Sequence, residues 1–173
     1  MAKLSIIVAP DPRLKVKALP VDRVDAAIRR LMDDMLDSMH AANGIGLAAP
    51  QVGVAKRVIV VDISAPDAPA TPLRMANPEI LSASERCVEG EEGCLSLPEH
   101  YAPVIRPAEV RVRYLDENGE RREIDADGIL AKCIQHEIDH LEGTLFVDHI
   151  SALKRGIILR KLSKLKRLEM AGA

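Results

Sequence analysis

Between residues 22 and 42, Val24, Ile28, Leu31, Met35 and Met39 recur at three- and four-residue spacing. That period predicts a helix, with Asp22 as its N-cap and Gly44 just past its end. The pattern then changes. Arg57 to Asp62, RVIVVD, is a β-branched run that predicts a strand. Leu73 to Leu81 and Ser84 to Glu89 are weaker extended segments, and Pro66, Pro69 and Pro72 mark a surface loop ahead of them. Val110, Val112 and Tyr114 alternate with Arg111 and Arg113, and Asn118-Gly119 supplies a tight turn before a strand ending near Ile124, which predicts a hairpin. From about Asp127 to Glu142 the period is helical again, with Gly143 as a stop. Ser151 to Met170 forms a last helix, its apolar stripe drawn through Leu153, Ile157, Leu162, Leu165 and Leu168. Helices at both ends of mostly antiparallel strands predict an α+β fold. No repeat, low-complexity tract or linker divides the chain, so one domain is expected over residues 1–173.

Composition narrows the function classes. With 47% apolar and 29% charged residues, the 173-residue chain can bury a sizeable core. That core must be aliphatic, because the only aromatic residues are Phe146, Tyr101 and Tyr114. The early apolar run, Leu4 to Pro10, is too short for a membrane span and lacks a signal-peptide cleavage region, so a cytoplasmic location is expected. Cys87, Cys94 and Cys133 leave one thiol unpaired under any disulfide scheme, which makes them ligands or core residues. Net charge is −2, yet from Ser151 onward there are seven Lys/Arg against Glu169, about +6, leaving about −8 on the remainder. A body of that charge with so few aromatics excludes sequence-specific nucleic-acid binding.

The stretch HEIDH, His136 to His140, carries the chemistry. On a helix, residues i and i+4 share a face about 6 Å apart, close enough for two imidazoles to bind one metal. Glu137 can then reach a water in an open coordination position and act as general base and acid. In HExxHxxGxxH a third histidine would stand at position 146, which is Phe146. Glu169, near the chain end, is a poor ligand. Cys133 lies seven residues from His140, roughly 10 Å along the helix axis, and reads as a small buried hydrophobe. Cys94, in EGEEGCLSLPEHY, can approach from elsewhere in the fold, with Pro98 ending any strand there. A Cys-His-His set with one open position is a catalytic coordination count, whereas a closed four-ligand structural zinc site would need Cys87, His100 or His149 as well. Both readings stay open on spacing alone, as does a metallopeptidase. In GIGLAAPQVG, Gly44 to Gly53, the glycines allow close backbone approach, and Gln51 could present its amide to an oxyanion.

Three segments together resemble the peptide deformylase family, whose motifs are GxGLAAxQ, EGCLS and QHExDH. Here they stand as Gly44 to Gln51, Glu92 to Ser96 and Gln135 to His140, in the family's order, and the similarity extends from PDPRL (Pro10 to Leu14) through LFVDHIS. The resemblance implies Cys94, His136 and His140 as metal ligands, Glu137 as the acid/base, and the Gln51 amide with the Leu95 backbone N–H as oxyanion donors. It implies removal of the formyl group from N-formylmethionine on nascent polypeptides, with release of formate. The metal so implied is Fe2+, with Zn2+, Ni2+ or Co2+ able to substitute. The substrate backbone would lie between Ile45 and Gly46 and the residues after Pro98, and the methionine side chain in an apolar pocket near Ile129 and Cys133. Many bacterial members carry an arginine seven positions after the ligand cysteine, where this chain has Tyr101. Contact between the basic final helix and the ribosome is the partner expectation for the tail.

Overall fold

The structure, a computed structural model, describes residues 3–172; Met1, Ala2 and Ala173, the ends of the expected domain, lie outside the described residues. Among the described residues, seven strands form two antiparallel sheets. β1 (Gly46–Ala48), β2 (Val58–Val61), β3 (Leu73–Ala83), β6 (Glu109–Leu115) and β7 (Arg121–Asp127) make a five-stranded sheet in the order β1-β2-β3-β6-β7. β4 (Cys87–Cys94) and β5 (Leu97–Pro107) pair as a separate hairpin. Helices α1 (Ala26–Ala41), α2 (Gly128–Leu141) and α3 (Ala152–Ala171) complete an α+β fold.

β2 explains the layering. All four of its residues are buried, and side chains alternate between the faces of a strand, so a wholly apolar strand needs cover on both sides. Val58 and Val60 pack with Met32, Met35 and Met39 of α1. Ile59 and Val61 pack on the other face with Ile134, Ile138 and Leu141 of α2. Leu47 of β1, paired with Val60, joins the α1 side. A third cluster ties Leu97 and Val104 of the hairpin to Leu14, Phe146 and α3 residues Ile158 and Leu162.

Element boundaries depart from the periodicity where a local bond decides them. α1 starts at Ala26 rather than after Asp22, because the Asp25 carboxylate accepts the Ile28 N–H at 2.9 Å and is the N-cap. β3 continues to Ala83, and the segment expected over Ser84 to Glu89 is split by a turn, with β4 starting at Cys87. Pro98 does not end a strand: it sits near the start of β5, where its missing N–H is tolerated, and Glu99 follows with φ 66°. The apolar stripe of α3 is also rotated. Ile158 and Leu162 are its buried residues, while Leu153, Leu165 and Leu168 are exposed.

Candidate metal centre and active site

Helix geometry and one hairpin turn bring the chemistry-bearing residues together. His136 and His140 share a face of α2, with ring centroids 5.1 Å apart. Leu95 and Ser96 form the turn between β4 and β5 and leave Cys94 at the hairpin tip, its Sγ 3.4 Å from His140 Nε2. Among the described residues, Cys94, His136 and His140 form a group whose ligand atoms lie within 4.8 Å of one another. Tetrahedral coordination places thiolate and imidazole donors roughly 3.5 Å apart, so the spacing is already close to what a metal requires. Phe146, at the position of a third histidine, stacks on the His136 ring with centroids 6.2 Å apart. The possible fourth ligands lie outside this group: the Cys87 thiol donates to Glu85 O and His149 bonds Asp139, and His100 is not among the converging donors.

Charge around the two histidines suits a cation. Glu92, buried, accepts from Arg106 through Nε and Nη2, the latter at 2.9 Å, and faces His136 Nδ1 at 3.0 Å. Burial raises the Glu92 pKa, but hydrogen bonds to His136 and Arg106 outweigh it and bring it to about 2. An ionised carboxylate can only accept, so His136 keeps a proton on Nδ1, and Nε2 is the nitrogen left to face a cation. Burial alone would push the His136 pKa down, yet its hydrogen bonds to Cys94 and Glu92 hold it well above the ordinary value, the mark of a position that favours positive charge. Burial, followed by the His136 charge, keeps His140 well below its ordinary value and therefore a neutral donor. Its Nδ1 is buried without a hydrogen-bond partner. A thiolate and two imidazoles in this setting fit a divalent metal.

The depressed Glu92 pKa carries a stability prediction. A carboxylate whose pKa is lowered on folding contributes stability above its unfolded value, and that contribution is lost as pH falls through the folded value. Denaturant midpoints should therefore drop between about pH 4.5 and 2 in the wild type, and less steeply in Glu92→Gln. Parallel curves for the two proteins would contradict it.

Glu137, on α2, is the second buried acid beside the two histidines. Burial raises its pKa to about 7, against the opposing charges of His136 and Arg106, and its Oε1 has no hydrogen-bond partner. A buried carboxylate poised near neutrality is suited to taking and returning a proton. Gly46 makes room for it: a Cβ there would stand 2.5 Å from Glu137 Oε2 and 2.7 Å from Cys133 Sγ. Cys133 is buried, its pKa raised by burial, and its thiol donates to Ile45 O at 3.6 Å. Gln51 is held at both ends. Its Oε1 accepts the Ala48 N–H at 2.9 Å, while Nε2 donates to Ser96 Oγ at 3.0 Å and points at Cys94 Sγ, 3.6 Å away.

These groups open into a cleft of about 400 Å³, whose lining includes Ile45, Gly46, Leu95, Cys133 and Glu137. Tyr101 lines its outer part, its ring laid over Gly93, where a Cβ would come within 2.5 Å of Tyr101 Cε1. Ile129 does not join this lining; it is exposed and borders an adjoining depression with Val88 and Lys132. Motif reading named Glu92 and Ser96 as the ends of a motif without giving either a role, and it missed Arg106. Arg106 had left a signal: it shares the inward alternation of Ala102 and Val104, and a charge on an apolar strand face needs a buried partner.

Known proteins match both the chain and its fold. The family described as "Polypeptide deformylase" matches residues 3–156. A peptide deformylase of Methylocella silvestris is 57% identical over 167 residues, covering 95% of this chain and 85% of its own. A crystal structure of a peptide deformylase from Ehrlichia chaffeensis superposes with a TM-score of 0.92 at 42% identity, over 98% of this chain and 99% of that one. Its complex with actinonin gives a TM-score of 0.91 at 44% identity, covering 96% of this chain and 99% of that chain.

Proposed function

Because the chain belongs to the polypeptide deformylase family, we infer that it hydrolyses the N-formyl group from N-formylmethionyl peptides and releases formate. The observation that carries this reading is the convergence of Cys94, His136 and His140 beside the buried, unpartnered Glu137 oxygen. Those three residues would hold one divalent metal, Fe2+ in our reading, with Zn2+, Ni2+ or Co2+ able to substitute. When bound, the ion supplies Lewis acidity toward water and a carbonyl oxygen. Glu137 takes a proton from the attacking water and returns it to the leaving amine. The Gln51 amide and the Leu95 backbone N–H stabilise the negative oxygen of the tetrahedral intermediate. Ile45 and Gly46 flank the peptide backbone. Cys133 borders the methionine side chain, and Ile129 is assigned to the outer edge of that subsite.

Gln51 tests the oxyanion assignment. Gln51→Ala should slow formate release from formyl-Met-Ala-Ser by about 10²-fold or more, mainly in kcat, because the donor acts on charge that develops during reaction. Wild-type kcat in that variant would remove Gln51 from the mechanism.

The same reading takes residues 1–173 as a single catalytic domain arranged around α2, supported by the packing of α2 on the five-stranded sheet. No helix among the described residues is long and apolar enough to cross a membrane, and we assign the protein to the cytoplasm, where nascent chains emerge. On α3, Arg160, Lys161, Lys164 and Arg167 are exposed. We assign this basic face to ribosome contact, through phosphate attraction independent of base sequence. Reversal of Arg160, Lys164 and Arg167 to Glu, which leaves the buried Ile158 and Leu162 in place, should abolish low-salt cosedimentation with ribosomes. Unchanged cosedimentation would remove the contact.

A further inference from the structure

Asp139 lies inside HEIDH, yet it is neither a metal-ligand candidate nor an acid facing the cleft. Its Oδ2 accepts from Arg106 Nη1 at 2.9 Å and from His149 Nε2 at 2.8 Å. Arg106 in turn binds both oxygens of Glu92, and Glu92 holds His136 Nδ1. A continuous hydrogen-bonded path thus runs from partly exposed His149 to the His136 ring. The segment Phe146–His149 touches the centre a second time, through the stacking of Phe146 on that ring.

The geometry of the guanidinium gives this path its purpose. Glu92 takes one edge of the Arg106 fork, through Nε and Nη2, and a single edge leaves the group free to hinge about that carboxylate. Asp139 takes Nη1 and removes that freedom. The Arg106 side chain is 7% exposed, so water cannot readily replace the lost partner. We propose that Asp139, itself held by His149, is a positioning residue: it pins Arg106 so that Glu92 keeps the His136 ring aligned, and so sets how tightly the centre holds its metal. This rests on the reading of Cys94, His136 and His140 as ligands.

The test uses the full chain loaded with Co2+, with affinity measured by competition against a chromogenic chelator. Asp139→Asn should bind Co2+ about 10-fold more weakly, the low end for loss of an outer hydrogen-bond partner, and should shift the visible cobalt bands. His149→Leu should weaken binding about 3-fold, with His149→Gln, which keeps an N–H donor, closer to wild type; this pair decides the matter if Asp139→Asn does not fold. Wild-type affinity and spectrum in Asp139→Asn, whatever its melting temperature, would show an ordinary ion pair and overturn the proposal. A wild-type protein that takes up no Co2+ would instead sink the ligand assignment, and this inference with it.

Discussion

Glu137→Ala should lower formate release from formyl-Met-Ala-Ser by about 10²–10⁴-fold, with metal content per chain unchanged. The size follows from what the residue replaces. Without a buried base, the attacking water must lose its proton to solvent, and without an acid the amine must leave unprotonated. In the proposed mechanism Glu137 would serve both duties: burial brings its pKa to about 7, so the ionised and protonated forms are each accessible near neutrality. Its position is also fixed: Gly46 approaches Oε2 so closely that no side chain fits between them. A glutamine at the same position keeps the shape and loses the proton transfer, so Glu137→Gln should be similarly impaired. Equal rates in wild type and Glu137→Ala at matched metal occupancy would refute the assigned role.

Arg106→Ala should carry the largest stability loss, about 3–5 kcal/mol, because it leaves Glu92 as a buried charge without its counter-ion. For a chain of this length, a loss of that size lowers the melting temperature by roughly 6–20 °C. The damage should reach the metal centre as well. Glu92 escapes the penalty by protonating, and a protonated carboxyl no longer enforces the Nδ1–H form of His136. The cost therefore belongs to the stranded partner rather than to the ion pair as such. Arg106→Met combined with Glu92→Leu should recover much of the lost stability while metal affinity stays weak. A melting temperature within about 2 °C of wild type in Arg106→Ala would show that Glu92 is satisfied by other means.

Some features of this molecule could be read along the chain because they depend on neighbours a few residues apart. The β-branched run RVIVVD formed β2, the alternation around Val112 formed a hairpin closed over Asn118-Gly119, and four-residue spacing set His136 and His140 on one face of α2. Repeating backbone geometry alone sets those relations. The cap expected at Asp22 falls instead at Asp25, whose carboxylate accepts the Ile28 N–H.

Other features required the assembled fold. Cys94 meets His140 across the fold because the β4–β5 turn leaves it at a hairpin tip beside α2, and Glu92 binds Arg106 across the same two strands. The buried side of α3 was settled by the neighbours it met: Ile158 and Leu162 found Phe146 and Leu97, whereas Leu165 and Leu168 found solvent. Ile129 was likewise left outside the cleft. Periodicity determined which residues share a face, and three-dimensional packing determined what that face meets, because contacts across many residues depend on how whole elements stack rather than on the bond geometry of any one of them.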